Sequence, residues 1–382
     1  MPSARYYWPL ALLLGALAAI VLLTVRPYSG NLTSFFHMDT ITAEKYGVPE
    51  QFVLLSVPGY DGEQYYQIAR HMGILVQPNL WEKLAIHPTI AYSYQRFLLP
   101  VTAYILAFGQ THLLPYSFLF IQIASLLCVA GAILWFHPRR ALYSIALALS
   151  PAAMIGLHFS LAEPLTLALL TVFLVRFIDR AKLNTIDIIL LSLFVLTREV
   201  NIIFIGLLFL YLVWKRRWQD CFLLIIPIAT FLALHALIYK VFHEVPFLWS
   251  TDKHSLPFTA IIDILRGAKG YDMYTLSSIA LFAGFVLPAF LWSLWNLWKK
   301  NMTVFLPLFS VLFLGLMLLM PDHIWGSITS IGRVITPVYP LVLLQAAEHD
   351  TLPARLIAVA VLFLGVGIAI ALALLPHPFT LS

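Results

Sequence analysis

Charge is scarce in this 382-residue chain: Asp, Glu, Lys and Arg make up 11% of it, against 61% hydrophobic residues. A soluble domain carries about 25% charged residues, so this chain has too little polar surface for life in water. The same composition excludes disorder, coiled coil and collagen. Cysteine is nearly absent. Cys128 and Cys221 lie in or beside apolar runs and read as small packed hydrophobes, which leaves no basis for a disulfide framework or a thiolate metal site. Neither a Gly-rich phosphate loop ending in Gly-Lys-Ser/Thr nor a G-x-G-x-x-G stretch occurs, and this argues against a nucleotide-driven enzyme. His87, His158, His243, His254 and His323 are scattered without His-x-x-x-His spacing. They read as surface or interface histidines, so the sequence supports neither a metal site nor any other cofactor. The net charge of +5 is no nucleic-acid signal, because the basic residues fall between apolar runs.

What the chain has is apolar runs, and the fold they imply is an all-α polytopic membrane protein. The first, Tyr7 to Val25, follows Arg5 and is either a signal peptide or an uncleaved anchor. No clean small-residue cleavage site precedes Arg26, and about 20 apolar residues span the hydrocarbon, which favours the anchor. The only long polar stretch follows, Arg26 to Arg96, with Asp39, Glu44, Glu50, Asp61, Glu63 and Glu82. Further runs cover residues 97–109, 115–136, 141–157, 161–178, 184–214, 221–242, 275–298, 302–320, 334–347 and 355–375. Several are too short to cross a bilayer of about 30 Å as straight helices. The expected organisation is an anchor over residues 1–25, a first loop with an amphipathic helix over 26–96, and a transmembrane bundle over 97–382, all one integral domain. Trp292, Trp295, Trp298 and Tyr339, at the ends of runs, read as an interfacial aromatic belt. Asn31-Leu32-Thr33 fits the glycosylation acceptor pattern, which matters only in a secretory lumen.

Lys/Arg clusters punctuate the runs at Arg139-Arg140, Arg176 to Lys182, Lys215 to Arg217 and Lys299-Lys300. The positive-inside rule puts all four in the cytoplasm. The turn His158 to Pro164 then faces outside. Residues 184–214 must cross twice, so Thr197-Arg198-Glu199-Val200-Asn201 becomes a polar break opening outward. The polar segments His243–Asp272 and Pro321–Arg333 fall on the same side. The first loop joins them if 97–109 is re-entrant. If that run crosses, the first loop lies inside. At about 13 residues, roughly 20 Å of helix, the run favours re-entry.

The sharpest local signal is Pro58-Gly59-Tyr60-Asp61-Gly62-Glu63-Gln64-Tyr65-Tyr66-Gln67-Ile68-Ala69-Arg70. Two readings are open. Asp61 is an N-cap with Gln64 three residues on, a capping-box pattern, heading a helix whose Tyr65, Ile68, Ala69 and Met72 stripe suits the membrane interface. Alternatively, a carboxylate at such a helix start meets a substrate at the lipid boundary. Arg96, Arg198 and Arg333 are functional suspects, since an ionised side chain at membrane depth costs about 2.5–3.5 kcal/mol on insertion scales. Arg198 is either a site residue or simply neutralised by Glu199 or Glu163. Arg96 and Arg333 either contact a ligand or snorkel from helix starts. Glu163 and Glu199 begin helices, where carboxylates are favoured in any case.

The string Tyr60-Asp61-Gly62-Glu63-Gln64-Tyr65-Tyr66-Gln67-Ile68-Ala69 resembles the first-loop motif of GT-C glycosyltransferases, especially bacterial relatives of the PIG-V-like mannosyltransferases. Tyr94-Gln95-Arg96-Phe97-Leu98-Leu99-Pro100 is similar to the family's segment leading into the next membrane helix. Ser160-Leu161-Ala162-Glu163-Pro164-Leu165 resembles its Glu-containing helix start, and Leu196-Thr197-Arg198-Glu199 its Thr-Arg break. These four motifs cover roughly the first half of the chain; beyond residue 215 only the hydrophobic pattern agrees. The family's metal-linked Asp-x-Asp variant is absent.

The resemblance implies a GT-C-like bundle of about 10–12 transmembrane or half-membrane helices with a long first extracytoplasmic loop, in a bacterial inner membrane. It implies transfer of a sugar from a polyprenyl-phosphate donor to a glycan, lipid or protein acceptor, with Asp61 as the base. Tyr60, Arg96, Glu163, Arg198, Glu199 and Arg333 become the expected substrate-binding set. The chemistry is compatible. Attack by an acceptor hydroxyl needs a carboxylate to take its proton, while a phosphate leaves as an anion and needs positive charge rather than a general acid. One carboxylate plus arginines suffices, where hydrolysis of an ordinary glycoside wants two carboxylates. The alternative is a secondary transporter or flippase, because broken helices with Arg and Glu at depth also build transport sites. Against it stand the long first loop and the lack of an internal repeat relating the two halves. A non-catalytic scaffold is a third possibility.

Overall fold

The computed structural model describes residues 7–56, 59–72, 92–180, 182–243, 273–299, 304–317 and 328–374. The readings of His87, His254 and His323, and most of those of segments 243–272 and 321–333, fall outside them. Among the described residues the chain is helical apart from two two-residue strands, Met38–Asp39 and Leu54–Leu55, paired in parallel.

Helix α1 (Tyr7–Val25) is apolar throughout, with Leu13 and Leu17 fully buried against helices 114–136 and 352–374. It packs on the bundle. Two 3-10 turns follow, and Asn31 caps the second: its side-chain oxygen accepts from the Thr33 N–H (3.0 Å), while its amide donates to the Gln51 carbonyl (2.6 Å). The Asn of the acceptor pattern is therefore occupied as a structural cap. Helix α2 (Thr40–Tyr46) is capped by Asp39.

Helix α3 (Asp61–Arg70) departs from both features read for it. Its N-cap is Tyr60, and Asp61 is the first helical residue, with its side chain turned to arginines rather than to the helix backbone. Gln64, the expected capping partner, instead accepts from the Ser93 hydroxyl. Nor is α3 an amphipathic surface helix: Gly62, Glu63, Tyr65, Tyr66, Gln67, Ile68 and Ala69 are all buried, so it is enclosed on most sides.

Helix α4 (Leu98–Leu106) has nine residues, about 14 Å of rise, less than half a bilayer's hydrocarbon. Its first turn is bonded to the break at Leu196, next to Arg198, and the following turn at Thr111 shares a cavity with Asn31 and Tyr66 of the first loop. Both ends of α4 therefore lie near the first loop and the 196–201 break.

From there the chain alternates between two ends. Helix α5 (Leu114–Phe136) leads to Arg140; α6 (Ala141–Ala148) and α7 (Pro151–His158) return, bent by 40°. Helix α8 (Glu163–Arg180) goes back, α9 (Thr185–Val195) returns, and α10 (Ile202–Trp214) goes back again. The run 184–214 thus breaks into two short helices at the expected place. Helices α11 (Trp218–Leu223) and α12 (Ile225–Phe242) return, and α13 (Met273–Leu281) continues through a π-helical turn into α14 (Leu287–Lys299). Helix α15 (Phe305–Met317) is followed by α16 (Ile328–Val334) and α17 (Val338–His349), a pair bent by 61°, and then α18 (Leu352–Leu374). Both bends fall at a proline, Pro151 and Pro337, whose missing N–H and fixed φ start a new helix more readily than they continue one.

Among the described residues, five helices are long and apolar enough to cross a membrane, and up to seven spans result if each bent pair counts as one. The shorter apolar helices Thr185–Val195, Glu199–Trp214 and Phe305–Leu316 fill the remaining places. The molecule is an all-α polytopic membrane protein.

At one end the acidic residues hold basic clusters. Asp350 binds Arg140, Arg355 (2.8 Å) and the Tyr143 hydroxyl (2.8 Å); Asp187 binds Arg176 (2.8 Å); Asp220 binds Arg217 (2.6 Å) and the Leu183 N–H (3.2 Å). Three individual readings are corrected. Tyr339 is no belt residue but fully buried, stacked on Phe285 at 4.7 Å, whereas Trp295 and Trp298 are exposed. His158 is buried among Phe35, His37 and Phe159 rather than at the surface. Cys128 lies on the outer face of α5, and only Cys221 is packed inside.

Candidate active site

Opposite the Arg140 end, five stretches of chain deliver six charged side chains to one place. Local structure explains each delivery. Gly62 lets the first turn of α3 lie directly on the turn before α8, since a Cβ there would sit 2.1 Å from the Phe159 carbonyl oxygen. Ser160, at φ +50°, reverses the chain after α7. Gly156 allows Pro164 to close on it, a Cβ at 156 meeting the proline ring at 2.4 Å. Glu163 is thereby fixed at the start of α8, fully buried. At the 196–201 break, the Thr197 hydroxyl donates to the Phe194 carbonyl (2.7 Å) and accepts from Thr166 (2.8 Å) and the Asn201 amide (2.8 Å). Side chains thus satisfy the backbone that the interrupted helix frees. Arg198, extended at φ −156°, and Glu199 project from this joint.

Arg96 is 4% exposed and does not snorkel. Its guanidinium donates to both Glu199 oxygens (3.1 Å each), to Asp61 Oδ2 (2.5 Å) and to the Tyr92 hydroxyl (2.7 Å). Arg333 donates to Glu163 Oε1 (2.6 Å), to Asp61 Oδ2 (2.9 Å) and to the Tyr60 hydroxyl (3.0 Å). Arg198 pairs with Glu163 Oε1 (3.0 Å) and donates to the Arg333 carbonyl (2.8 Å). Tyr60 packs its ring on Phe159 at 4.4 Å. All seven residues singled out in the sequence, Tyr60, Asp61, Arg96, Glu163, Arg198, Glu199 and Arg333, are in one network. Of the two partners read for Arg198, Glu163 is the one it binds, and Glu199 belongs to Arg96.

Three carboxylates face three guanidiniums, so formal charge cancels, but the carboxylates differ. Glu163 and Glu199 are buried, whereas the Asp61 side chain stays 29% exposed. Both arginines bind Asp61 through Oδ2, and among the described residues nothing is bonded to Oδ1. Burial works to raise the Asp61 carboxyl, but Arg333 and then Arg96 outweigh it and hold it at about 2. Two buried atoms inside the network, Glu163 Oε2 and Arg198 Nε, have no partner among the described residues. Among the described residues, no group of three or more His, Cys, Asp or Glu is placed to hold a metal ion.

Sequence reading missed Tyr92, whose hydroxyl donates to Glu199 (3.0 Å), and Tyr65, 3.4 Å from Arg96. Tyr92 stands four residues before Arg96, the spacing of neighbours on a helix face, and that was its available signal. Nearby, Glu63 accepts from the Asp39 N–H (3.1 Å) and Thr42 (3.3 Å). Burial lifts its carboxyl to about 8, and the like charges of Asp39 and Asp61 push the same way, over the opposing effect of those hydrogen bonds. Compared with protein-family models, with curated proteins and with solved structures, the chain matches none of them.

Proposed function

We propose that the protein is a membrane glycosyltransferase of the GT-C kind. It moves a sugar from a polyprenyl-phosphate donor to an extracytoplasmic acceptor, with Asp61 as the general base. The observation that carries this reading is the partly exposed carboxylate of Asp61, whose Oδ1 has no bond among the described residues, beside guanidiniums that can receive a phosphate. The end of the bundle holding Asp61 is opposite Arg140, Arg176 and Arg217, and under the positive-inside rule this supports the extracytoplasmic reading.

In the proposed reaction an acceptor hydroxyl attacks the anomeric carbon and its proton passes to Asp61 Oδ1. The bond from that carbon to the phosphate oxygen breaks, and its electron pair leaves with the phosphate. Arg96 and Arg333 stabilise the leaving charge. Direct displacement inverts the anomeric centre. An aspartate held at about 2 is a weak base, so the donor has a second effect. Its phosphate draws Arg96 and Arg333 away from Oδ2, and loss of that attraction raises the basicity of Asp61 at the moment it is needed.

The test is sugar transfer by the purified protein in liposomes supplied with polyprenyl-phosphate sugars. Asp61→Asn is expected to abolish product while the protein still inserts and accumulates. Full activity in that variant sinks the assignment. The bent pairs α6/α7 and α16/α17 also suit a transporter or flippase. That reading requires vesicles in which solute or lipid crosses with no covalent product.

A further inference from the structure

Arg96 and Arg333 both bind Asp61 Oδ2, but they are held differently. A guanidinium carries five N–H groups in a fixed fork. For Arg96 every one has an acceptor. Nε and one Nη2 hydrogen go to the two Glu199 oxygens, and the other Nη2 hydrogen goes to the Tyr92 hydroxyl. Nη1 serves Asp61 and, at 3.4 Å, the Tyr65 hydroxyl. Each nitrogen of Arg333 instead makes a single bond among the described residues, to Glu163, Tyr60 and Asp61. Arg96 is thus gripped along one whole edge, with Nη1 left to face Asp61.

Tyr92 builds that edge together with Glu199. Its hydroxyl accepts from Arg96 Nη2 (2.7 Å) and donates to Glu199 Oε1 (3.0 Å), which itself accepts from Nη2 (3.1 Å), so each of the three groups is bonded to the other two. The Tyr92 ring lies 4.9 Å from the Arg96 guanidinium carbon, within range of a cation–π contact. The tyrosine is itself tied down. Gln95 donates to its carbonyl (3.2 Å), and Gln95 Oε1 stands 3.1 Å from a ring nitrogen of His235 on α12. The hydroxyl of the next residue, Ser93, bonds Gln64 on α3. Among the described residues no hydrogen bond joins Tyr92 to Asp61, so Tyr92 reaches the carboxylate through Arg96. To flip about its Nε–Cζ bond the guanidinium must break the Tyr92 bond as well as those to Glu199 and Asp61.

We propose that Tyr92 is a positioning residue: by closing the Arg96–Glu199 pair it fixes the guanidinium so that Nη1 alone exchanges Asp61 for the donor phosphate. Its effect on transfer rests on the transferase reading; the restraint on Arg96 does not. The test uses the full chain in lipid membranes with isotope-labelled arginine, as wild type, Tyr92→Phe, Arg96→Lys and the double variant. Phe keeps the ring and removes only the hydroxyl. The Arg96 signals are those lost in Arg96→Lys, and solid-state NMR reads the flip that exchanges Nη1 with Nη2. Tyr92→Phe is expected to speed this exchange about tenfold or more, the worth of one hydrogen bond to a charged group. In sugar transfer it is expected to lower kcat about tenfold with donor KM changed less than about twofold, because the leaving charge that Arg96 meets develops in the transition state. Made in the Arg96→Lys background, the same change should cost no further activity, since residues that act as a unit are not additive. Unchanged exchange in Tyr92→Phe, an equal fractional loss of kcat in both backgrounds, or a loss confined to donor KM would overturn the proposal. If wild type itself transfers no sugar, the transferase reading fails and the exchange rate alone decides whether Tyr92 restrains Arg96.

Discussion

At the residue scale, Asp61 answers to two demands that oppose each other. To receive an acceptor proton it must be basic, yet two guanidiniums on Oδ2 hold it at about 2. The free enzyme therefore keeps Asp61 ionised down to acid pH, and kcat/KM, which reports the free enzyme, should show no acid limb from this group above about pH 3. In the donor complex the arginines turn to the phosphate, and the acid limb of kcat should stand at higher pH. Coincident limbs for the two quantities would refute displacement of the arginines by donor. Arg96 serves Asp61 and Glu199 together. Arg96→Ala removes both guanidinium bonds to the buried Glu199 and leaves it the Tyr92 hydroxyl, a backbone N–H and the more distant charge of Arg198, at a cost of up to about 3–5 kcal/mol, and Arg96→Lys should recover stability only in part because an ammonium cannot make the two-pronged bond. Thermal melts of the two variants check this; equal stability in all three proteins would show the pair to be unimportant. Sequence reading found Arg96 but undervalued it. A residue at the start of an apolar run reads as a snorkelling cation, and nothing local reveals a carboxylate 103 positions away.

At the element scale, helix breaks and tight approaches hold the network together. The joint between α9 and α10 depends on the Thr197 hydroxyl, which reaches Phe194, Thr166 and Asn201. Thr197→Val keeps the shape and strands buried partners, so unfolding should become easier by about 1–3 kcal/mol; an unchanged denaturation midpoint would contradict it. The first-loop segment carries a titrating group of its own. Glu63 has a carboxyl raised to about 8 against an ordinary value of 4.5. Between these values the folded state binds more protons than the unfolded one, so the stability it contributes falls as pH rises from about 4.5 to about 8. Glu63→Gln should remove that slope in melts across this range, and an unaltered slope would assign it to another group. The break in 184–214 was legible because charge parity demanded it, and the shortness of α4 because its apolar run is short. The burial of α3 was not legible. A stripe at helical spacing reveals one apolar face, whereas Glu63 and Gln67 on the other faces are buried by neighbours that the period of the sequence does not display.

At the scale of the whole molecule, the argument turns on which end faces which compartment. Helix α8 links them directly: Glu163 opens it inside the network, and Arg176 and Arg180 close it among the basic clusters, about 27 Å away for 18 residues. Helices α9 and α10 and the α11/α12 pair continue the alternation, so fixing one point orients this part of the bundle. Ser29 lies exposed at the Asp61 end, just after α1, and Lys215 lies exposed at the other, just after α10. With Cys128 and Cys221 replaced, a single cysteine at each position gives a readout independent of catalysis. Ser29→Cys should react with a membrane-impermeant maleimide in intact cells, and Lys215→Cys only after permeabilisation. The reverse pattern would put the network in the cytoplasm, where the acceptor would have to be a cytoplasmic molecule and the extracytoplasmic transfer proposed for Asp61 would be untenable. Labelling of both positions in intact cells would mean that Lys215 is not cytoplasmic, and the charge rule that orients the bundle would fail with it.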